Sequence, residues 1–131
     1  MAKKKILVVD DEVDFAEIMK ARLEKNGYKV LMANNGKDAL GMVKKERPDA
    51  VLLDIMMPEI DGLSVLKQIR AEDPRLPIFI ITAFSNEERV KIAGKFNASG
   101  FIVKSQQDIA SEIKNIASAI EIADKYKGKR G

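Results

Sequence analysis

The sequence lacks the residues on which several kinds of site depend. It contains no cysteine, which excludes disulfides, thiolate nucleophiles and cysteine-ligated metals. It also contains no histidine, which excludes histidine-based acid–base catalysis, Ser-His-Asp triads and zinc sites built on histidine. Of the usual catalytic groups, carboxylates, lysine, arginine, serine, threonine and tyrosine remain.

Long apolar runs are also missing. The longest are ILVV and IFII, far below the ~20 residues that span a bilayer. The amino terminus, in which three lysines and a short apolar run precede two aspartates, is unlike a secretory signal peptide. We therefore expect a cytoplasmic protein without a membrane segment. The 131 residues, 46% of them apolar, fit one domain with a proper core.

The net charge of +3 is set by the two ends of the chain. Residues 6–124 carry 16 basic and 20 acidic side chains, which leaves the body of the chain at −4. The basic ends allow a nucleic-acid role, but a solubilising terminus or a linker is the favoured interpretation. We assign residues 1–124 to one domain and residues 125–131 to a basic tail or linker, with helical periodicity lost and fraying expected from residue 124.

Short aliphatic runs alternate with helical patterns along the chain. The runs typical of strands covered on both faces are Ile6–Val9, Ala50–Leu53, Ile78–Ile81 and Phe101–Val103, and Tyr28–Met32 suits an edge strand. Helical spacing follows each strand, in the apolar positions of Phe15–Leu23, Ala39–Val43, Leu63–Arg70, Val90–Phe96 and Ile109–Ala123. Five such alternations predict an α/β fold, with a parallel sheet and helices on both faces.

Polar side chains able to do chemistry stand directly after four of the predicted strands. Asp10 and Asp11 follow the ILVV run, and Asp54 follows the AVLL run. Thr82 follows the IFII run, and Lys104 follows the last strand. Because ligands bind at the carboxyl ends of the strands in an open parallel sheet, we expect these five side chains to share one pocket.

This set of groups suits phosphoryl transfer. Three carboxylates repel one another unless a cation is present, and hard oxygen ligands suit Mg²⁺. Lys104 and Thr82 can then bind an anion, and a carboxylate can act as the nucleophile. Singly, each residue has an ordinary explanation, such as a helix cap for an aspartate or a surface charge for the lysine. Four such coincidences at four strand ends favour a site.

These residues resemble the receiver domains of response regulators in two-component signalling. The matching segments are ILVVDDE (Ile6–Glu12), VLLDIMMPEIDG (Val51–Gly62), IFIITA (Ile78–Ala83) and GFIVK (Gly100–Lys104). The resemblance implies a flavodoxin-like fold with five parallel strands in the order 2-1-3-4-5 and five helices. It also implies a signalling switch, not a turnover enzyme, that a sensor histidine kinase or phosphotransfer protein phosphorylates and an unknown output partner reads.

Residue by residue, the resemblance implies that Asp54 accepts the phosphoryl group with the help of Mg²⁺. Asp10, Asp11 and Asp54, with the main-chain carbonyl of Met56, would hold that ion. Lys104 would pair with a phosphoryl oxygen of the product.

The resemblance further implies a conformational readout. Thr82 would follow the phosphoryl group as the switch hydroxyl, and Phe101, as the switch aromatic, would turn inward with it. An ordinary core aromatic is the other interpretation of Phe101. The face formed by the fourth helix, fifth strand and fifth helix would then change for the output partner.

Three positions beside the site vary or depart from the family pattern. The family usually has a cis proline after the lysine, whereas Ser105 follows Lys104 here, and a cis bond before a non-proline residue costs ~2.5–4 kcal/mol. Ser105 with Asp108 can instead cap the fifth helix. Met56 and Phe84 occupy the variable flanking positions, and because both are apolar we expect them to limit water attack and alter the lifetime of the phosphate.

Three other functions fit parts of the sequence. A phosphatase of similar fold usually has a carboxylate two residues beyond its nucleophile, where Met56 stands. A phosphorylation-independent interaction module of the same fold is the main alternative, although Asp54 and Lys104 are both present. A nucleic-acid binder has little support beyond Tyr126 and the basic tail.

Overall fold

A computed structural model describes residues 3–55, 62–82, 91, 93–104 and 109–130, with side chains in the last range described for residues 110–125. Within these ranges, the strands are β1 (Lys5–Val9), β2 (Lys29–Ala33), β3 (Ala50–Asp54), β4 (Ile78–Thr82) and β5 (Gly100–Val103). The helices are α1 (Val13–Lys25), α2 (Gly36–Glu46), α3 (Gly62–Glu72), α4 (helical at residues 91 and 93–95) and α5 (Ile109–Arg130). None of the described helices has an apolar stretch that could cross a membrane.

The strands form one parallel sheet in the order β2-β1-β3-β4-β5, which confirms the predicted topology. This order brings together strand ends that are far apart in the sequence. Val9 at the end of β1 pairs with Leu53 of β3, and Asp54 pairs with Ile81 of β4. The polar residues at these strand ends are therefore neighbours across the sheet.

The central strands are buried on both faces, which explains their continuous apolar runs. Successive side chains of a strand point to opposite faces, so Leu7 and Val9 join one core while Ile6 and Val8 join the other. α2, α3 and α4 pack on the first core, and α1 and α5 pack on the second. Each large aliphatic side chain buried there stabilises the fold by ~1.5–3 kcal/mol, and together they fix the strand ends.

α5 extends further than its apolar pattern predicts. The stripe predicts a helix ending near Ala123 and a frayed segment beyond it, but the backbone stays helical to Arg130. Lysine and arginine are good helix formers, and each added residue extends a hydrogen-bonded helix that already exists, so apolar packing is not needed to continue it. Lys4 pairs with Asp124 at 2.6 Å, which ties α5 to the start of β1. The assignment of residues 125–131 as a linker stays a prediction.

Arg70 joins three segments beside the core that α3 covers. Its half-buried guanidinium donates hydrogen bonds to the carbonyl oxygens of Phe96 (2.9 Å), Asn97 (2.8 Å), Asp73 (3.1 Å) and Leu76 (2.7 Å). Burial lowers the pKa of Arg70 from its ordinary value, and the charge of Asp73 partly opposes this. The arginine thus connects the end of α3, the loop before β4 and the turn between α4 and β5.

Replacing Arg70 with methionine is expected to lower the free energy of unfolding by about 2–4 kcal/mol, because four carbonyl oxygens lose a charged donor. Urea denaturation would show a lower midpoint with an unchanged slope. The exposed Arg22 of α1 provides the control, and Arg22→Met should change the free energy by less than about 0.5 kcal/mol. Equal effects of the two substitutions would contradict a linking role for Arg70.

Candidate functional site

Polar side chains meet at the carboxyl edge of the sheet, where β1, β3, β4 and β5 end. Asp10 follows β1, and Lys104 follows β5. Asp54 and Thr82 are the last residues of β3 and β4. Asp10, Asp54 and Thr82 are all buried. The structure therefore brings together the residues that the sequence placed at the strand ends.

Three carboxylates form an acidic cluster at this edge. One oxygen atom each of Asp10, Asp11 and Asp54 lies within 4.8 Å of the others, and Asp11 is exposed whereas the other two are buried. The two buried carboxylates, Asp10 and Asp54, indicate a site, because a buried carboxylate needs a partner of opposite charge or a proton. Three hard oxygen ligands at this spacing are of the kind that Mg²⁺ takes from proteins.

Lys104 supplies positive charge beside the cluster. Its Nζ atom lies 2.8 Å from Oε1 of Glu12, 2.9 Å from Oδ2 of Asp10 and 3.4 Å from Oδ2 of Asp54. It also lies 4.9 Å from the centre of the Phe15 ring. Burial by itself lowers the pKa of Lys104, but the hydrogen bonds to Glu12 and Asp10 raise it by more, so the pKa lies above its ordinary value. The side chain therefore remains an ammonium ion at neutral pH.

The surroundings of Asp10 disfavour its negative charge. Its Oδ1 atom accepts hydrogen bonds from the N–H of Glu12 (2.8 Å) and from Lys104 (3.1 Å). Oδ2 faces Lys104 but accepts no well-formed hydrogen bond from the part of the chain that the structure describes. Burial raises the pKa of Asp10 to about 6, and the charge on Asp54 adds to this, against the lowering effect of those hydrogen bonds. A buried oxygen left over in an acidic cluster fits a divalent cation such as Mg²⁺.

Thr82 and Phe101 lie on the paired strands β4 and β5. Thr82 pairs with Val103, and its carbonyl accepts a hydrogen bond of 2.8 Å from the main-chain N–H of Lys104, which fixes where the lysine side chain begins. Phe101 pairs with Ile80 and is half-buried against the core that α2, α3 and α4 cover. The switch roles of Thr82 and Phe101 stay predictions.

Several predicted features fall on residues outside the described ranges. They are the metal-binding carbonyl of Met56, the flanking side chains of Met56 and Phe84, and the cap formed by Ser105 and Asp108. The bond between Lys104 and Ser105 belongs to the same group. These features also stay predictions.

Glu12 is part of the site, although the sequence interpretation gives it no role. It lies between Asp11 and the first residue of α1, and its main-chain N–H binds Asp10 while its side chain binds Lys104. The signal that could have found it is its place in the ILVVDDE segment, where a third acid directly follows the acidic pair. A partner 92 residues away is not visible in that pattern.

Gly62 is a second residue that the sequence interpretation leaves without a role. A Cβ atom at this position would overlap with the carbonyl oxygen of Asp54 and with Cα of Ile55. Both are main-chain atoms that cannot move aside as a flexible side chain can. Only glycine therefore lets α3 begin directly against the end of β3, where Asp54 is held.

Gly62→Ala is expected to lower the free energy of unfolding by about 1–3 kcal/mol, because the added methyl group forces α3 away from β3. The matched control is Gly41→Ala on α2, where a Cβ meets nothing within 4 Å. Alanine there should raise the free energy by roughly 0.5–1 kcal/mol, since it is the better helix former. Urea denaturation of both variants measures these changes in the free energy of unfolding, which should be opposite in sign. Changes of the same sign would count against the close contact at Gly62.

Asp10→Asn is expected to stabilise the metal-free protein above pH 6. The pKa of about 6 in the folded chain exceeds the ordinary value of 3.8, so folding favours the protonated acid. Asp10 therefore has no effect on the free energy of unfolding below pH 3.8. It lowers that free energy increasingly as the pH rises from 3.8 to about 6, and the full loss is present above pH 6. The advantage of the variant should grow from zero near pH 3.8 to about 1–3 kcal/mol at pH 7–8.

Urea denaturation with a chelator present measures this difference at each pH. Adding Mg²⁺ should stabilise the wild-type protein more than the variant, because the variant lacks one of the carboxylates. Asp14→Asn, which removes an exposed carboxylate nearby, is the control for net charge. A variant that is less stable than the wild type at pH 8 without metal would show that Asp10 stabilises the fold.

A family model described as "Response regulator receiver domain" matches residues 6–118. The match covers most of the chain and includes Asp10, Asp11, Asp54, Thr82 and Lys104.

Curated relatives are longer than this chain. The alkaline phosphatase synthesis transcriptional regulatory protein PhoP of Bacillus subtilis is 38% identical over 92% of the chain and 51% of that protein. The transcriptional regulatory protein ZraR of Salmonella typhimurium is 44% identical over 76% of the chain and 22% of that protein. The chain thus spans about half or less of the length of these relatives.

Solved structures share the fold. A CheY-like receiver domain from Methanospirillum hungatei has a TM-score of 0.88 at 23% identity, covering 95% of this chain and 99% of that one, and shows likeness of fold alone. The response regulator TrrA of Thermotoga maritima, solved in complex with Mg²⁺ and beryllium fluoride, has a TM-score of 0.77 at 34% identity. That match covers 89% of this chain and 98% of TrrA.

Proposed function

Because the chain belongs to the response regulator receiver domains of two-component systems, we propose that it is a cytoplasmic signalling switch in which Asp54 accepts a phosphoryl group. The donor would be a sensor histidine kinase or phosphotransfer protein, because these 131 residues contain no histidine that could carry the phosphoryl group. The observation that carries the proposal is the buried Asp54 carboxylate, 3.4 Å from the Lys104 ammonium and clustered with Asp10 and Asp11.

The transfer makes one bond and breaks one bond. A carboxylate oxygen of Asp54 attacks phosphorus while the bond from phosphorus to the donor breaks, and the electron pair of that bond stays with the donor. The product is an acyl phosphate on Asp54. Lys104 neutralises part of the charge on the transferred oxygens, and its raised pKa keeps it charged for this task.

The acidic cluster is suited to hold the metal that this chemistry requires. Asp10, Asp11 and Asp54, with the main-chain carbonyl of Met56, would hold Mg²⁺. When bound, the ion neutralises phosphoryl oxygens and offsets the repulsion among the acids. The raised pKa of Asp10 supports this, because burial and, to a lesser extent, the charge of Asp54 disfavour its ionised form, and Lys104 offsets them only in part. The complex of the related TrrA with Mg²⁺ and beryllium fluoride supports the same class of ligand.

The response to phosphorylation is expected on the face formed by α4, β5 and α5. Thr82 and Phe101 would rearrange to meet the new negative charge, and an output partner would read the changed face. Arg70 holds the turn between α4 and β5 through the carbonyl oxygens of Phe96 and Asn97. That turn precedes the first residue of β5, whereas Thr82 pairs with the last one, so Arg70 anchors the end of β5 that lies far from Thr82.

Two rival functions make different demands on the site. A phosphatase with turnover needs an acid–base group near its nucleophile, and Met56 cannot act as one. A phosphorylation-independent interaction module has no use for an ionised Asp10, whose burial disfavours its charge. The cost of that buried charge is better explained by a site that meets a cation.

Incubation with acetyl phosphate and Mg²⁺ is expected to add one phosphoryl group to the wild-type protein and none to Asp54→Asn. Intact-protein mass spectrometry measures the added mass. Asp14→Asn, which removes the same charge from an exposed position of α1, should be phosphorylated like the wild type. Chelation of the metal should abolish the reaction of both the wild-type protein and Asp14→Asn.

Two results would contradict the assignment. Phosphorylation of Asp54→Asn at the wild-type level would place the acceptor elsewhere. A wild-type protein that stays unmodified with both acetyl phosphate and a partner kinase would favour the interaction module instead.

A further inference from the structure

The Lys104 ammonium lies closer to Glu12 than to the proposed acceptor. The distance from Nζ to Oε1 of Glu12 is 2.8 Å, whereas the distance to Oδ2 of Asp54 is 3.4 Å. The third acid, Asp10, lies on the buried side, while the Glu12 side chain is 60% exposed. Glu12 therefore caps the outer side of an ammonium whose own side chain is 10% exposed.

The main chain of Glu12 is anchored, so its side chain starts from a fixed point. Its N–H donates to Oδ1 of Asp10 at 2.8 Å, and its carbonyl oxygen accepts from the N–H of Ala16 at 3.1 Å. The same residue therefore joins the acidic cluster to the first turn of α1. From this position the carboxylate reaches Lys104 across the opening of the site.

An ammonium ion has three hydrogens to donate, and three carboxylates surround this one. A phosphoryl oxygen that binds Lys104 must therefore compete with these acids for its hydrogens. Asp10 is buried, so losing the ammonium would leave it without a cation. Glu12 is exposed and can be solvated when it is released, and exposed ion pairs are weak. Of the two acids that do not carry the phosphoryl group, Glu12 is thus the one that is given up more easily.

We propose that Glu12 is a positioning residue that restrains Lys104 in the unphosphorylated protein and competes with the phosphoryl group for it. The proposal rests on the proposed function of Asp54 and deepens it. Glu12 holds the ammonium beside the acceptor, with the shorter hydrogen bond going to Glu12 and the longer one to Asp54. The transition to the phosphorylated state then includes an exchange of one Lys104 hydrogen bond, from Glu12 to the phosphoryl oxygen.

Glu12→Gln tests the competition, since glutamine keeps the shape of the side chain and removes its charge. The probe is beryllium fluoride, a phosphoryl mimic, with saturating Mg²⁺, and binding is followed by ¹⁹F NMR. Release of Lys104 should tighten binding about three- to fivefold, the upper part of the range expected for loss of an exposed ion pair. Asp14→Asn, with the same change of charge two residues away, should alter binding by less than about 1.5-fold.

A double-mutant cycle separates competition for Lys104 from direct repulsion of the anion. In a Lys104→Met background, the gain from Glu12→Gln should fall to that of Asp14→Asn, because no ammonium is left to release. An undiminished gain in that background would show that Glu12 acts only by repulsion, which overturns the proposal. ¹⁹F NMR at millimolar beryllium fluoride reaches the weaker affinity expected without Lys104.

The outcomes distinguish failure of the role of Glu12 from failure of the proposed function of Asp54. A wild-type protein that binds no beryllium fluoride with Mg²⁺ would overturn the proposed function, and the role of Glu12 with it. A wild-type protein that binds, with a Glu12→Gln variant that binds equally or more weakly, would overturn the role of Glu12 alone. Tighter binding by Glu12→Gln that depends on Lys104 would support both.

Discussion

The Lys104 ammonium is the interaction on which the acidic edge of the sheet depends. Asp10 and Asp54 are buried side by side, and without a cation their charges would oppose folding. Pairing of β5 with β4 places the lysine there, because the N–H of Lys104 binds the carbonyl of Thr82. The electrostatics of the site therefore depend on the hydrogen bonding of the sheet. A change in the register of β5 against β4 would move the Lys104 ammonium away from the two carboxylates.

The two apolar cores stabilise the fold enough to tolerate a site that lowers the free energy of unfolding. Two cores, one on each face of the sheet, fix the strand ends, and the acids lie just beyond them. Gly62 lets α3 begin against the main chain at Asp54, and Arg70 anchors the turn before β5. The fold as a whole tolerates an Asp10 whose pKa is raised by burial, which is the kind of local disadvantage that a functional site can retain.

Much of the fold was predictable because strands buried on both faces leave continuous apolar runs. The ILVV, AVLL and IFII runs locate β1, β3 and β4, and the polar residue after each run locates the site. The extent of α5 was not predictable from its stripe, since the helix continues after its apolar face ends at Ala123. The hydrogen bonds of Arg70 were not predictable either, because the sequence does not indicate which carbonyl groups will surround a charged residue near the end of a helix.

The sequence by itself determined the order of strands and helices and which polar residues would stand at the strand ends, because both follow from local patterns of burial. Only the tertiary structure decided how the Lys104 ammonium is shared among the acids. Lys104 is 92 residues from Glu12 and 50 from Asp54, and its long side chain can reach either acid. It contacts both, and how closely it approaches each acid depends on differences of a few tenths of an ångström between distant segments, which no local pattern encodes.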